Sequence, residues 1–116
     1  MKKLHIKKLD TLWSQKVRQL GCCCVCSRWG RLNAHHYVGR ANRGVRWYIP
    51  NGFCLCVNCH TYGIRSAHQD PEWFREKALE MRGKEWLDDL VEKSRIDCMA
   101  SKQEYEVELA KLKEAE

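Results

Sequence analysis

Two Cys-x-x-Cys pairs carry the clearest chemistry in this chain. Cys23 and Cys26 form the first pair, and Cys56 and Cys59 form the second. Four thiolates in two such pairs are the tetrahedral ligand set that zinc prefers. With four protein ligands the ion has no position left for a substrate. The sequence therefore predicts a structural Zn²⁺ that staples the fold and takes no part in a reaction.

The other four of the eight cysteines have a different expected role. Cys22 and Cys24 flank Cys23 and are alternatives to it as the zinc ligand, whereas Cys54 and Cys98 are interpreted as buried apolar side chains. Disulfides are disfavoured because the basic, amphipathic N-terminal segment does not have the pattern of a secretory signal. No apolar run reaches the ~20 residues that cross a bilayer, so no membrane association is expected.

Four histidines lie close to this cysteine framework. His35 and His36 are adjacent, His60 directly follows a cysteine of the second pair, and His68 lies further along the chain. Successive side chains of a strand point to opposite faces. On a strand, one member of the His35-His36 pair can therefore ligate a metal while the other faces a substrate.

The charge is distributed very unevenly along the sequence. Residues 1–69 contain twelve Lys or Arg and a single acid, Asp10, whereas residues 70–116 contain nine bases and fourteen acids. A surface of one sign over half the chain repels itself unless it meets a polyanion, so DNA is the expected partner. The acidic C-terminal part disfavours binding to a membrane surface.

The elements that position these groups follow from the apolar pattern. A helix capped by Asp10 or Thr11 is predicted to run to about Leu20, after a frayed start at 2–8. Strands are predicted at 32–37 and 45–49, a turn at 50–52, an extended segment at 53–55 and a helix at 57–65.

The C-terminal part is predicted to be helical. Asp70-Pro71 begins a helix that Gly83 ends, a second helix covers 84–97, and a capping box of Ser101 and Glu104 opens a third. The chain thus divides into a basic N-terminal helix (1–21), a zinc-knuckle core (22–69) and a helical extension (70–116).

The order of these residues resembles the HNH endonucleases. A His-His pair is followed by Asn51, and Cys56, Cys59 and His60 come five, eight and nine residues after it. Within that superfamily, the segment from His35 to His60 is most similar to the phage NinG/Rap-type recombination nucleases. The resemblance covers about residues 22–70.

The resemblance implies an α+β fold in which a zinc-stapled ββα-metal core is flanked by helices at both ends. It assigns His35 and His60 to the catalytic ion, which would be Mg²⁺, Mn²⁺ or another divalent metal. It makes His36 the general base and Asn51 the residue that braces the loop and orients that base. The implied function is a metal-dependent DNA endonuclease of phage recombination, active on double-stranded or branched DNA in the cytoplasm of a bacterial host.

The chain departs from the family's pattern at three positions. A further histidine is usual one helical turn after His60, where this chain has Ile64, so two protein ligands plus water molecules are expected. His68 is left as a metal ligand, a phosphate contact or a helix cap. His35 stands where many members have Asp, which leaves the metal preference open.

Basic side chains near the histidines are the expected DNA contacts. Arg40, Arg43 and Arg46 lie around the loop between the predicted strands. Arg65 follows the second cysteine pair, and each pair with the turn after it is called a knuckle below. Arginine suits phosphate, because its fork of donors matches two oxygens. Trp29 is expected in the core.

Two rival functions remain at this point. One is a non-catalytic zinc module that binds DNA, which would have no use for the histidines and Asn51 together. The other is a protein-interaction domain that uses its acidic helices, which the acid-free stretch 11–69 disfavours. A homodimer formed through the C-terminal helices is a further expectation.

Overall fold

The computed structural model of the protein describes residues 1–96 and 104–115. Its elements in chain order are helix α1 (Lys3–Arg18), strand β1 (Leu32–His36), strand β2 (Gly52–Cys56), helix α2 (Pro71–Ile96) and helix α3 (Tyr105–Glu114). A 3-10 turn (Ile49–Asn51) precedes β2, and a π-helical turn (Asn58–Tyr62) follows it. The predicted α+β class is confirmed. No helix of the described residues is long and apolar enough to cross a membrane.

The two strands form an antiparallel hairpin that is covered on both faces. The register pairs Leu32 with Cys56 at one end and His36 with Gly52 at the other. Phe53 and Leu55 pack toward α2, whereas Cys54 packs toward α1. All of β2 is therefore buried, because the alternating sides of the strand meet different helices. The hairpin is the middle layer between α2 on one side and α1 with α3 on the other.

Helix α1 begins earlier than the sequence predicted. The expected fraying of residues 2–8 is wrong, since the helix starts at Lys3 and the His5 ring stacks on Tyr105 of α3 at 4.0 Å. Leu9 and Leu112 are both buried in the contact between these two helices. Tertiary packing thus extends the helix beyond its expected start, and it places Asp10 inside the helix instead of at its cap.

The segment 45–49 is not the strand that its apolar residues predicted. Val45 and Trp47 are buried, but the chain turns here, because the N–H of Val45 bonds to the carbonyl of Asn42 and that of Tyr48 to the carbonyl of Val45. These local bonds use donors that a strand would give to a neighbour. The second strand is instead the extended segment predicted at 53–55, lengthened to Gly52–Cys56.

The helix predicted at 57–65 is only the π-helical turn. Its last hydrogen bond runs from the Gly63 N–H to the Asn58 carbonyl at 2.9 Å. A Cβ at Gly63 would lie 2.7 Å from that same carbonyl oxygen, so this closure requires glycine. The helical part of the expected ββα unit is therefore much shorter than the sequence suggested.

The helical extension agrees with its predicted boundaries. The Asp70 carboxylate accepts a hydrogen bond from the Trp73 N–H at 3.2 Å and so caps α2. Gly83 interrupts α2 with a φ of 84°. Helix α3 begins after Glu104, whose side chain makes no capping bond. The expected capping partner Ser101 and the thiol of Cys98 lie outside the described residues.

Trp47 and Trp29 differ in burial. Trp47 is 3% exposed, and its indole N–H donates to Asp10 at 2.8 Å. Trp29 was expected in the core, but 82% of it is exposed. The segment that contains Trp29 is a turn between the first cysteine pair and β1.

Gly52 sets how closely α1 approaches the hairpin. A Cβ at this position would meet the side chain of Val17 and lie 2.9 Å from the Trp13 ring. We predict that Gly52→Ala lowers the free energy of unfolding by about 1–3 kcal/mol through overpacking. Gly39→Ala is the control, because a Cβ there has no atom within 4 Å. Its stability should stay within about 0.5 kcal/mol of the wild type in urea unfolding; equal stability of both variants would contradict the prediction.

Candidate functional site

The two Cys-x-x-Cys pairs meet at one end of the hairpin. The sulfurs of Cys23, Cys26, Cys56 and Cys59 all lie within 4.8 Å of one another, and those of Cys26 and Cys56 are 3.6 Å apart. The antiparallel register places Cys56 at the start of β1, next to the first pair. The donor set and its compactness fit a zinc ion, which these four cysteines could hold.

The thiol pKa values of Cys23 and Cys24 shift in opposite directions. Burial alone would raise the pKa of the Cys23 thiol. Hydrogen bonds from backbone N–H groups, led by that of Cys26, outweigh this effect and lower the pKa to about 7. Burial and the Cys23 charge raise the pKa of Cys24 to about 11. Cys24 lies outside the cluster, so the structure selects Cys23 from the alternatives. Cys54 is buried, as expected, among apolar side chains beside α1.

Three histidines form a second cluster. Nitrogens of His35, His60 and His68 lie within 4.8 Å of one another, and the Nε2 atoms of His60 and His68 are 3.0 Å apart. His35 comes from β1, His60 from the π-helical turn and His68 from the loop that leads to α2. This geometry brings three imidazoles together, where the sequence led us to expect two protein ligands.

Backbone hydrogen bonds explain how His68 reaches this cluster. The chain folds back so that the N–H of Ala67 bonds to the carbonyl of Cys59 at 2.8 Å, and that of His68 to the carbonyl of His60 at 3.1 Å. His68 thus lies beside His60 although it is eight residues away. Ile64, at the position one helical turn on, is 91% exposed. The expected cap role of His68 is taken by Asp70.

Two histidines of the cluster have the protonation state that metal binding requires. Burial, followed by the neighbouring imidazoles, lowers the pKa of His35 to about 3, and burial also lowers the pKa of His60. Both side chains are therefore neutral at pH 7, with a lone pair available to a cation. The Nδ1 atom of His60 is buried and has no hydrogen-bond partner among the described residues.

His36 lies on the opposite face of β1 from His35, as strand alternation predicts. Its ring stacks on Trp13 at 3.8 Å, and its Nε2 lies 3.0 Å from the carbonyl oxygen of Arg46. Because a carbonyl only accepts, neutral His36 carries its proton on Nε2 and keeps the lone pair on Nδ1. Burial lowers the pKa of His36, although the bond to the Arg46 carbonyl opposes that shift.

Asn51 holds the loop between the strands. Its fully buried side chain accepts a bond from the Val38 N–H at 2.7 Å and donates to the carbonyls of Val38 and Val45 at 3.0 and 3.1 Å. The carbonyl that binds His36 belongs to Arg46, the residue after Val45. Asn51 therefore makes no direct bond to His36, but it fixes the backbone that orients this ring.

Of the four arginines expected to contact DNA, one is already committed within the fold. Arg46 binds both carboxylate oxygens of Asp10, at 2.9 and 2.7 Å, and its side chain is only 12% exposed. It therefore links the loop to α1, and Asp10 occupies the guanidinium donors that were expected to contact DNA. Arg40 and Arg65 are exposed, although Arg65 lies 3.3 Å from Asp70. Arg43 is also exposed.

An open cleft of about 480 Å³ is bordered both by histidines of the cluster and by His36. His35 and His68 border it together with His36, and α2 contributes Glu72 and Arg75. Sequence reasoning missed Arg75, because it lies on the solvent face of a helix with alternating charges. It also missed Trp13, whose helical spacing indicated only a core residue.

Comparisons of the chain with protein-family models, curated proteins and solved structures give no match.

The cysteine cluster makes a prediction about metal content. We expect the protein to hold one zinc per chain and Cys23→Ser to lose it, because three thiolates bind the ion more weakly than four. Cys24→Ser is the matched control and should keep its zinc, as Cys24 lies outside the cluster. Elemental analysis after dialysis measures both variants. Zinc retained by Cys23→Ser and lost by Cys24→Ser would reverse the assignment.

Proposed function

We propose that this protein is an HNH-type, divalent-metal-dependent DNA endonuclease. The observation that carries the proposal is the convergence of His35, His60 and His68 beside a cleft that His36 also borders. A zinc module that only binds DNA would need the cysteine cluster, but it would have no use for three clustered imidazoles and a fourth with a fixed tautomer.

The three imidazoles would hold the catalytic ion. Three protein ligands leave coordination positions open, in contrast to the closed cysteine site. When bound, a divalent cation supplies charge stabilisation for the phosphate and the leaving oxygen during hydrolysis. Imidazole ligands suit transition-metal ions better than Mg²⁺, so Mn²⁺ is the first ion to test.

His36 would act as the general base. Its Nδ1 makes no hydrogen bond among the described residues and carries the lone pair that accepts a proton from the attacking water. The Arg46 carbonyl then stabilises the resulting imidazolium through its bond to Nε2. The stack on Trp13 keeps the ring from turning, and Asn51 keeps the carbonyl in place. Base and orienting groups are thus supplied by different elements.

DNA would bind along the basic side of the core. Arg40 and Arg43 extend from the loop that Asn51 holds, and Arg75 borders the cleft. Arginine contacts to phosphate position a duplex without reading its sequence. The sequence has no acid from 11 to 69, although Asp10 lies 3.8 Å from Arg40 and binds Arg46. The resemblance to NinG/Rap-type nucleases supports a role in phage recombination, inside a bacterial host cell.

Plasmid cleavage tests the proposal. We expect the zinc-loaded protein to nick supercoiled plasmid when Mn²⁺ or Mg²⁺ is added, and His36→Gln to lower the rate by at least about 100-fold. Glutamine can still donate to the Arg46 carbonyl but cannot accept the proton. His60→Ala should lose cleavage as well, because it removes a ligand of the ion.

His5→Ala is the control for these variants. His5 is also a partly buried histidine stacked on an aromatic ring, but it contacts Tyr105 of α3 and lies outside the cluster. It should cleave at the wild-type rate. Zinc content and urea unfolding establish that each variant is folded. Cleavage that needs no added metal, or that His36→Gln leaves unchanged, would refute the proposal and favour the DNA-binding module.

The pH dependence of cleavage follows from the His36 environment. Because burial lowers the pKa of His36 below 6.5, the base is neutral at pH 7 and becomes protonated only under more acidic conditions. At saturating Mn²⁺, the rate should be constant near pH 7 and should fall as the pH drops below 6.5. A rate already half lost at pH 7 would contradict a neutral His36. Zinc content is measured at each pH to exclude loss of the structural zinc as the cause.

A further inference from the structure

The two cysteine pairs are followed by the same short pattern. Three residues after Cys26 comes Trp29, and three residues after Cys59 comes Tyr62. Each aromatic residue is followed by glycine, and then an arginine comes directly (Arg31) or after one more residue (Arg65). The two halves of the zinc cluster therefore each carry an aromatic residue, a glycine and a base in the same order.

Both aromatic side chains are exposed. Trp29 is 82% exposed and Tyr62 is 76% exposed, although folding normally buries much of a large ring. Neither ring contacts another ring, and neither polar atom makes a hydrogen bond, within the described residues. The packing of the fold thus gives no reason for an aromatic residue at either position.

The backbone holds both rings in defined places. In the first knuckle, the carbonyl of Cys23 accepts from Ser27 at 2.8 Å, and the N–H of Cys23 donates to the carbonyl of Arg28 at 2.9 Å. Ser27 and Arg31 have φ values of 64° and 40°, a conformation that non-glycine residues rarely adopt. In the second knuckle, the closed π-helical turn ends directly before Gly63. Rings on such constrained turns lose little conformational freedom when they bind a partner.

The charge around the rings indicates the kind of partner. Arg28 and Arg31 flank Trp29 and are exposed, and the Arg65 side chain is 68% exposed. Aromatic rings among exposed arginines are the features by which proteins bind single-stranded nucleic acid, where rings stack on bases and cations follow the phosphates. In a duplex the bases are already stacked on one another, so their faces are closed to a side chain.

We propose that the zinc-knuckle end of the molecule binds unpaired DNA bases by stacking them on Trp29 and Tyr62. The proposal rests on the proposed nuclease function and gives it a substrate class, DNA that contains a single-stranded segment. Strand β1 runs from this end to His36 over about 13 Å, the length of roughly four duplex steps. A single strand held at the knuckles therefore places an adjacent duplex at the cleft.

Binding without turnover tests this inference. Zinc-loaded protein without added Mn²⁺ or Mg²⁺ is titrated into fluorescent oligothymidylate, and separately into a duplex of the same length, with anisotropy as the readout. We expect tighter binding to the single strand. Trp29→Ala and Tyr62→Ala should each weaken single-strand binding about ten-fold, whereas Trp29→Phe and Tyr62→Phe should stay within about three-fold of the wild type.

Ile64→Ala is the matched control. Ile64 lies in the same knuckle and is 91% exposed, but it has no ring to stack on a base. It should bind as the wild type does. Single-strand binding unchanged in both alanine variants would overturn the proposal. An equal loss in Ile64→Ala would overturn it too, because it would show that the binding does not depend on an aromatic ring.

The same proteins separate this inference from the nuclease proposal. If Trp29→Ala and Tyr62→Ala lose single-strand binding while the wild type cuts no DNA in Mn²⁺, the stacking surface stands and the nuclease proposal fails. If the wild type cuts plasmid and both variants bind oligothymidylate normally, the nuclease proposal stands and the stacking surface fails.

Discussion

The structure depends on the meeting of four thiols at one end of a two-stranded hairpin. A hairpin of five-residue strands is marginal on its own, and the loop between the cysteine pairs is long. Bringing Cys26 within 3.6 Å of Cys56 closes that loop and fixes the register of β1 against β2. This closure also positions the histidine cluster, because His60 directly follows Cys59 and His35 pairs with Phe53 in the fixed register.

That register also divides the histidine pair between two environments. His35 faces α2 and the other imidazoles, whereas His36 faces α1 and Trp13. A slip of one residue would exchange the two faces and destroy both arrangements. Gly52, opposite His36, allows α1 to approach closely enough for the Trp13 stack, and Asn51 fixes the loop whose carbonyl orients the ring. The proposed base is thus held by packing on one side and by backbone on the other.

Sequence reasoning found the parts of this arrangement that are local in the chain. The cysteine pairs, the Asp70 cap and the break at Gly83 each depend on a few neighbouring residues, and the structure agrees with them. It missed the features that depend on tertiary contacts. These are the early start of α1, which Tyr105 stabilises, and the ion pair between Arg46 and Asp10. His68 was undervalued for the same reason, since backbone bonds to Cys59 and His60 bring it into place where helical spacing would not.

We propose that the chain carries two metal sites of different kinds, one closed and one open. Anomalous X-ray diffraction from crystals of the zinc-loaded protein, soaked in Mn²⁺, tests it most directly. The account predicts a zinc peak about 2.3 Å from the sulfurs of the four clustered cysteines and a separate manganese peak beside the nitrogens of His35, His60 and His68. Manganese absent from the histidines, or zinc bound away from the cysteines, would contradict it.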